Sequence, residues 1–201
     1  MKQVLKNIQD YIRYYFWILK GCPIPVDHVF KRKRIRKIAK QYSCETFVET
    51  GTFYGRMVEA VRNFFTIVLS VELSQSLYEY NKRKYSKCKN VHLYLGDSGI
   101  LMGEMMKIIS GRGLFWLDGH YSGPGTAKGD AECPVMVELN TIQKHYRNDH
   151  CILIDDARCF DGSHDYPDFS EVKRKLLKIN PNYNIAIDYD CIIALPPAVG
   201  Q

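Results

Sequence analysis

The chain lacks most of what would mark a specialised class. Its seven cysteines, at 22, 44, 88, 133, 151, 159 and 191, include no Cys-x-x-Cys pair. That argues against a zinc framework or a disulfide scaffold, and an odd, scattered set reads as the reduced thiols of a cytoplasmic protein. No apolar run approaches the length of a membrane span, and a start with Asp10 and Arg13 inside it does not resemble a secretory signal. Internal repeats and low-complexity segments are missing too, which excludes a repeat array. Acid is scarce at the start: residues 1–42 hold 11 Lys/Arg against two Asp, a surplus of nine. The other 17 basic and 20 acidic residues leave residues 43–201 at −3, so the overall charge of +6 belongs to the N-terminus. With 46% hydrophobic and 25% charged residues over 201 positions, the chain suits one compact domain with an N-terminal appendage.

That appendage is residues 1–42. Val4, Leu5, Ile8, Tyr11, Ile12, Tyr15, Phe16 and Leu19 recur at helical spacing and stop at Gly21 and the Pro23/Pro25 pair, which predicts an amphipathic helix over 3–20. Its apolar face needs a cover: the parent domain or a second copy in a homodimer is the expectation, and a membrane surface is the alternative. The run Lys31-Arg32-Lys33-Arg34-Ile35-Arg36-Lys37 could meet anionic lipid, nucleic acid or a phosphorylated substrate. Val29, Phe30, Ile35 and Ala39 interleave with it as in an ordinary helix whose charges face solvent, so nucleic acid is not an expected partner.

From residue 43 short apolar runs alternate with longer amphipathic ones, the pattern of βαβ units and a parallel sheet. Strands are expected near 44–49, 66–72, 91–95, 113–118 and 150–155, with helices near 55–63, 75–86, 98–109, 131–147 and 169–179. Two closing β-type runs, 183–188 and 191–195, are separated by too few residues for a crossover, so they must pair antiparallel. The fold class is therefore α/β, a Rossmann-like, doubly wound, mostly parallel sheet.

In such a sheet ligands gather beyond the carboxyl ends of the strands. Each of the first five strands delivers an acid there: Glu49, Glu72, Asp97 in Gly96-Asp97-Ser98, Asp118, and the Asp155-Asp156 pair. The first strand breaks into Glu49-Thr50-Gly51-Thr52-Phe53-Tyr54-Gly55, a turn in which glycines permit positive φ and close approach of a ligand. Glu72 stands where an acid accepts hydrogen bonds from ribose hydroxyls. Asp97 suits either a contact to an adenine amino group or the N-cap of the next helix.

These residues resemble the class I S-adenosylmethionine-dependent methyltransferases over residues 43–201, with the glycine turn as first motif, Glu72 as ribose acid, Gly96-Asp97-Ser98 beside the adenine and the closing hairpin as the reversed seventh strand. The resemblance is nearest to metal-dependent O-methyltransferases of the catechol and macrocin type. It implies S-adenosyl-L-methionine as cofactor, held by Glu49, Thr50, Gly51, Thr52, Gly55, Glu72, Asp97 and Ser98. It further implies Mg²⁺ bound by Asp118, Asp155 and Asp156, and a transferase acting on a hydroxylated small molecule such as a sugar or diol. Crowded carboxylates repel, and a cation relieves the conflict. A metal on neighbouring hydroxyls would favour the alkoxide and orient it. The lysine that the catechol enzymes carry three residues after the strand-four acid is replaced by Tyr121. His120, beside Asp118, is left as the candidate base or as a residue that merely bonds backbone. The segment 121–130 reads as a lid, with Lys128 able to meet an anionic substrate. Arg158, His164 and Asp165 are placed for substrate recognition. A metal-independent methyltransferase and a non-catalytic binding module of this fold are the alternatives.

Overall fold

A computed structural model describes residues 2–119 and 133–198, with side chains from Ile8 onward. Its centre is one seven-stranded sheet: β1 (Thr46–Thr50), β2 (Ile67–Glu72), β3 (Val91–Leu95), β4 (Gly113–Leu117), β5 (Cys151–Asp155), β6 (Asn184–Ile187) and β7 (Cys191–Leu195). The spatial order is β3-β2-β1-β4-β5-β7-β6. The first five strands run parallel, and β7 lies antiparallel to both β5 and β6. The reversal follows from the β6–β7 turn. Asp188 and Cys191 exchange backbone hydrogen bonds of 3.0 and 3.2 Å, and Tyr189 and Asp190 between them take φ of 40° and 58°. A two-residue turn with positive φ at both central positions matches the strand twist of a hairpin and leaves no room for a crossover.

The helices are α1 (Lys2–Leu19), α2 (His28–Gln41), α3 (Arg56–Val61), α4 (Gln75–Lys84), α5 (Ser98–Met106), α6 (Val135–Gln143) and α7 (Phe169–Ile179). Successive strand residues face opposite ways, so each parallel strand feeds two cores. Val48, Leu69, Phe115 and Ile152 pack under α5, α6 and α7 through Met102, Leu139 and Leu176. Phe47, Val68, Leu114 and Leu153 pack on the other side against Ile35 of α2 and Met57 and Val58 of α3. Coverage of both faces explains why β1, β4 and β5 are buried along their whole length rather than in alternation. The helices after the first and third strands are shorter than their patterns suggested, ending at Val61 and Met106.

The N-terminal segment divides in two. Helix α2 belongs to the core: Ile35 is fully buried, with Ile38, Ala39 and Tyr42 beside it. Helix α1 is attached at few points. Trp17 is buried, donates Nε1–H to the Pro23 carbonyl at 2.7 Å and packs on Phe30, which packs in turn on Tyr189. Asp10 accepts from Arg32 at 2.8 Å and Arg56 at 3.2 Å. Ile8, Tyr11, Ile12, Tyr15 and Phe16 remain exposed along one stripe, as does Leu19. Among the described residues no helix is long and apolar enough to cross a membrane.

The basic run is not a solvated face. Arg32 pairs with Asp10, and Arg34 pairs with Asp188 at 2.8 Å while lying over Phe30. Arg36 donates to the Ala60 carbonyl, Lys33 sits over the rings of Tyr11 and Tyr14, and Lys31 pairs with Asp155. Five of its cations tie α2 to α1, to α3, to the end of β5 and to the β6–β7 turn.

Candidate active site at the carboxyl edge of the sheet

Strand order reverses between β1 and β4, and the crevice at their carboxyl ends is where this topology collects ligands. The turn after β1 is secured by its own chain. The amides of Gly51 and Thr52 both donate to the Val71 carbonyl, at 3.0 and 3.1 Å, and the Phe53 amide donates to Glu72 Oε2 at 2.7 Å. Gly51 has φ 85°, and a Cβ there would stand 2.5 Å from the Asp118 carbonyl oxygen. Gly55 has φ 67°, and its Cβ would meet Asn81 Oδ1 at 2.4 Å. Both glycines are thus required by close approach of the protein to itself. That is a different reason from the ligand approach expected from sequence.

The acids along the edge differ in role. Glu49 is sealed beneath the turn and accepts from Ser70 Oγ at 2.6 Å, while Thr52 Oγ1 lies 2.6 Å from the same Ser70 hydroxyl. Burial raises its carboxyl well above the usual range, opposed by the Ser70 bond. Thr50 Oγ1 accepts from the Asp118 amide at 3.2 Å and so ties the β1 and β4 tips together. Glu72 accepts from the amides of Phe53 and Ser74, and burial raises its carboxyl too. Asp97 is the N-cap of α5, accepting from the Gly99 amide at 2.7 Å. Ser98 donates to Glu138 Oε1 at 2.5 Å, linking α5 to α6. Two apolar residues near Asp97 in the chain are open to solvent: Leu95, the β3 residue paired with Glu72, at 38% exposure, and Ile100, in the first turn of α5, at 76%.

On the β4/β5 side four carboxylates, Asp118, Asp155, Asp156 and Asp190, meet two cations, Lys31 and Arg158. The Lys31 ammonium ion-pairs with Asp155, whose side chain is 3% exposed against 15% for the lysine. Burial pulls the Lys31 pKa down, but Asp155, Asp118 and Asp156 together raise it above the ordinary value. Asp156 stands at φ 53° and accepts from Arg158 at 2.8 Å, and Arg158 also pairs with buried Asp190. Asp190 fixes this turn a second way, through Oδ1 to the Arg158 amide at 2.9 Å. These residues do not fit a divalent metal. Asp155 is neutralised by Lys31 and Asp156 by Arg158, Asp118 lies in the field of the same lysine, and among the described residues no three His, Cys, Asp or Glu side chains converge as ligands.

Sequence reasoning missed Lys31, one of four consecutive cations with nothing local to single it out. It also missed His28, one turn earlier, whose Nε2 is buried with no hydrogen-bond partner. Burial, and then Arg56, Arg32 and Lys31, bring its pKa down to about 3, so the ring is neutral. Of the predicted recognition residues, Arg158 is committed to Asp156 and Asp190, while His164 takes φ 53° in the loop before α7. His120 and the 121–130 segment with Lys128 lie outside the described residues.

No family model matches the chain, and no curated protein does. Solved structures do. An O-methyltransferase from Bacillus cereus in complex with S-adenosylhomocysteine superposes with a TM-score of 0.60 at 10% identity, over 89% of this chain and 86% of that one. The O-methyltransferase TomG from Streptomyces achromogenes, involved in tomaymycin synthesis and solved with S-adenosylmethionine, gives 0.58 at 11%, over 93% and 88%. A Podospora anserina methyltransferase bound to S-adenosylhomocysteine gives 0.54 at 14%, over 93% and 87%. With the strand order and reversed β7, these likenesses establish that the chain has the class I methyltransferase fold.

Proposed function

We propose that the chain is an S-adenosylmethionine-dependent methyltransferase that methylates a hydroxyl oxygen of a small molecule. The observation that carries this reading is the division of one sheet edge into two halves. The β1–β3 half presents the glycine turn, Glu72, and exposed Leu95 and Ile100 beside Asp97; the β4/β5 half presents Asp118 beside the Lys31–Asp155 pair. The first half fits a nucleoside. The Glu72 carboxylate takes the amides of Phe53, Ser74 and Leu73, which leaves one of its roughly four lone-pair sites for a ribose hydroxyl, and the two aliphatic side chains offer an apolar face to a base. When bound, S-adenosylmethionine supplies an electrophilic methyl on sulfur.

The chain's part is to orient the acceptor and take its proton. Asp118 offers a carboxylate to the acceptor hydroxyl at the tip of β4, next to Gly51 and Gly119. His120, two residues on, is our candidate for the proton acceptor. The O-methyl preference is supported by the Bacillus cereus and Streptomyces achromogenes proteins. A sugar or diol acceptor accords with the polar lining of the β4/β5 half, and an anionic one would suit Lys128. Internal use of the basic run supports a small acceptor over nucleic acid. The magnesium expected from the resemblance is not part of this reading.

Calorimetric titration with S-adenosylhomocysteine tests it. The purified chain is expected to bind one equivalent, and Glu72→Gln to bind about tenfold more weakly for loss of one charge-assisted hydrogen bond. Absence of binding to the folded wild type would sink the methyltransferase reading.

A further inference from the structure

The acids at the ends of β4 and β5 hold a cation that the chain itself supplies. Lys31 is one helical turn before Ile35, on the same face of α2 as Ile38 and Tyr42. That face is clamped on the sheet, so packing of the aliphatic stripe fixes where the lysine goes. Its ammonium lies 5.8 Å from the Trp116 ring centroid and pairs with Asp155. Asp118 and Asp156 act on it from the two neighbouring strand ends. A second cation of the chain, Arg158, pairs with Asp156 and Asp190 beside it.

We propose that Lys31 is the resident cation of the acceptor half of the site, occupying with its ammonium the place of a divalent metal, so that the site works without one. The proposal rests on the methyltransferase reading for its catalytic meaning, though not for its chemistry. Lys31 is a positioning residue: one positive charge among three carboxylates opposes the rise that burial imposes on the Asp155 carboxyl and holds Asp118 at the edge. It also repels a second cation. A divalent ion beside Asp155 would stand within a few ångströms of the ammonium, and like charges that close in a partly buried site keep Mg²⁺ from competing for Asp155.

Titration of the full chain with Mn²⁺, followed by loss of the free-ion electron paramagnetic resonance signal, tests this with no acceptor and no turnover. Wild type and Lys31→Arg are expected to bind no Mn²⁺ at micromolar concentrations. Lys31→Met is expected to gain one Mn²⁺ site, more than about tenfold tighter than wild type, and Lys31→Met/Asp155→Asn to lose it again. A tight stoichiometric Mn²⁺ site in wild type, abolished by Asp155→Asn, overturns the proposal without need of any lysine variant. So does a Lys31→Met chain that keeps its circular dichroism and S-adenosylhomocysteine affinity yet gains no Mn²⁺ site. Calorimetry on the same samples separates the two ideas: failure to bind S-adenosylhomocysteine removes the methyltransferase reading and leaves the Mn²⁺ result standing.

Discussion

Two residues show how tightly single positions are constrained. Gly51 and Gly21 both have positive φ, 85° and 79°, but a Cβ at Gly21 meets nothing within 4 Å whereas one at Gly51 collides with the Asp118 carbonyl. Gly21→Ala should therefore cost only the left-handed backbone penalty, about 1 kcal/mol. Gly51→Ala should cost about 1–3 kcal/mol more, from forced separation of the β1 and β4 tips. Urea melts of the two variants read the difference, and equal losses would mean that the collision at Gly51 is relieved without cost. His150, like His28, supplies part of the pH dependence. It is fully buried and accepts from the Gly113 amide at Nδ1, so its Nε2–H faces His145 Nδ1 at 3.0 Å. Burial, then His145, bring its pKa down to about 3 from 6.5. A depressed histidine pKa means that the unfolded chain binds the proton more readily. The contribution is then fully present above pH 6.5 and lost as pH falls toward 3, by up to about 1.4 kcal/mol per pH unit. Wild type should lose stability between pH 7 and 5 more steeply than His150→Gln in parallel urea titrations.

At the scale of elements, α2 carries more than its charge run suggests. Its hydrophobic stripe closes one face of the sheet, and its cations reach Asp10, Asp155 and Asp188, in three different parts of the chain. Ile35→Ala should cost about 2–5 kcal/mol, as for other fully buried aliphatics. Deletion of residues 1–20 should leave a chain that still unfolds cooperatively in urea, because α1 is attached mainly through Asp10, Trp17 and the pair of Arg13 with Asp27. Deletion of 1–42 should not, because Phe47, Met57 and Trp116 would lose their cover. Equally cooperative unfolding of the two truncations would show that α2 is dispensable.

Across the whole molecule, stability should follow the layering of the sheet. Strands β1, β4 and β5 are buried throughout and flanked on both sides, whereas β3 and β6 are edges with exposed positions. Amide hydrogen exchange is expected to be slowest in the three central strands, opening only with global unfolding, and faster in β3 and β6. Protection of β6 equal to that of β4 would contradict this order. Glu49, Asp118 and Asp155 stand at the carboxyl ends of the three central strands and are held by a rigid frame, while Leu95, Asp97 and Ile100 stand at the looser β3 side.

The residues themselves determined the strands and helices to within a few positions, the parallel pattern, the reversed final strand and the row of strand-end acids. Each of these is written in periodicity or turn length over a few neighbours, as with the two-residue turn before Cys191 or the run from Val91 to Leu95. The fate of the polar groups was not legible in this way. Asp97 suited a cap or an adenine contact, and only its bond to the Gly99 amide decided for the cap. The glycines of the first turn were expected for any nucleotide-binding loop, yet their reason is a carbonyl and an amide oxygen brought in from Asp118 and Asn81. Lys31 was one cation in a row, and its partner lies 124 residues away. Hydrophobic spacing is local and survives in the sequence. An ion pair depends on which helix face lands on which strand end, a matter that only the packed sheet decides.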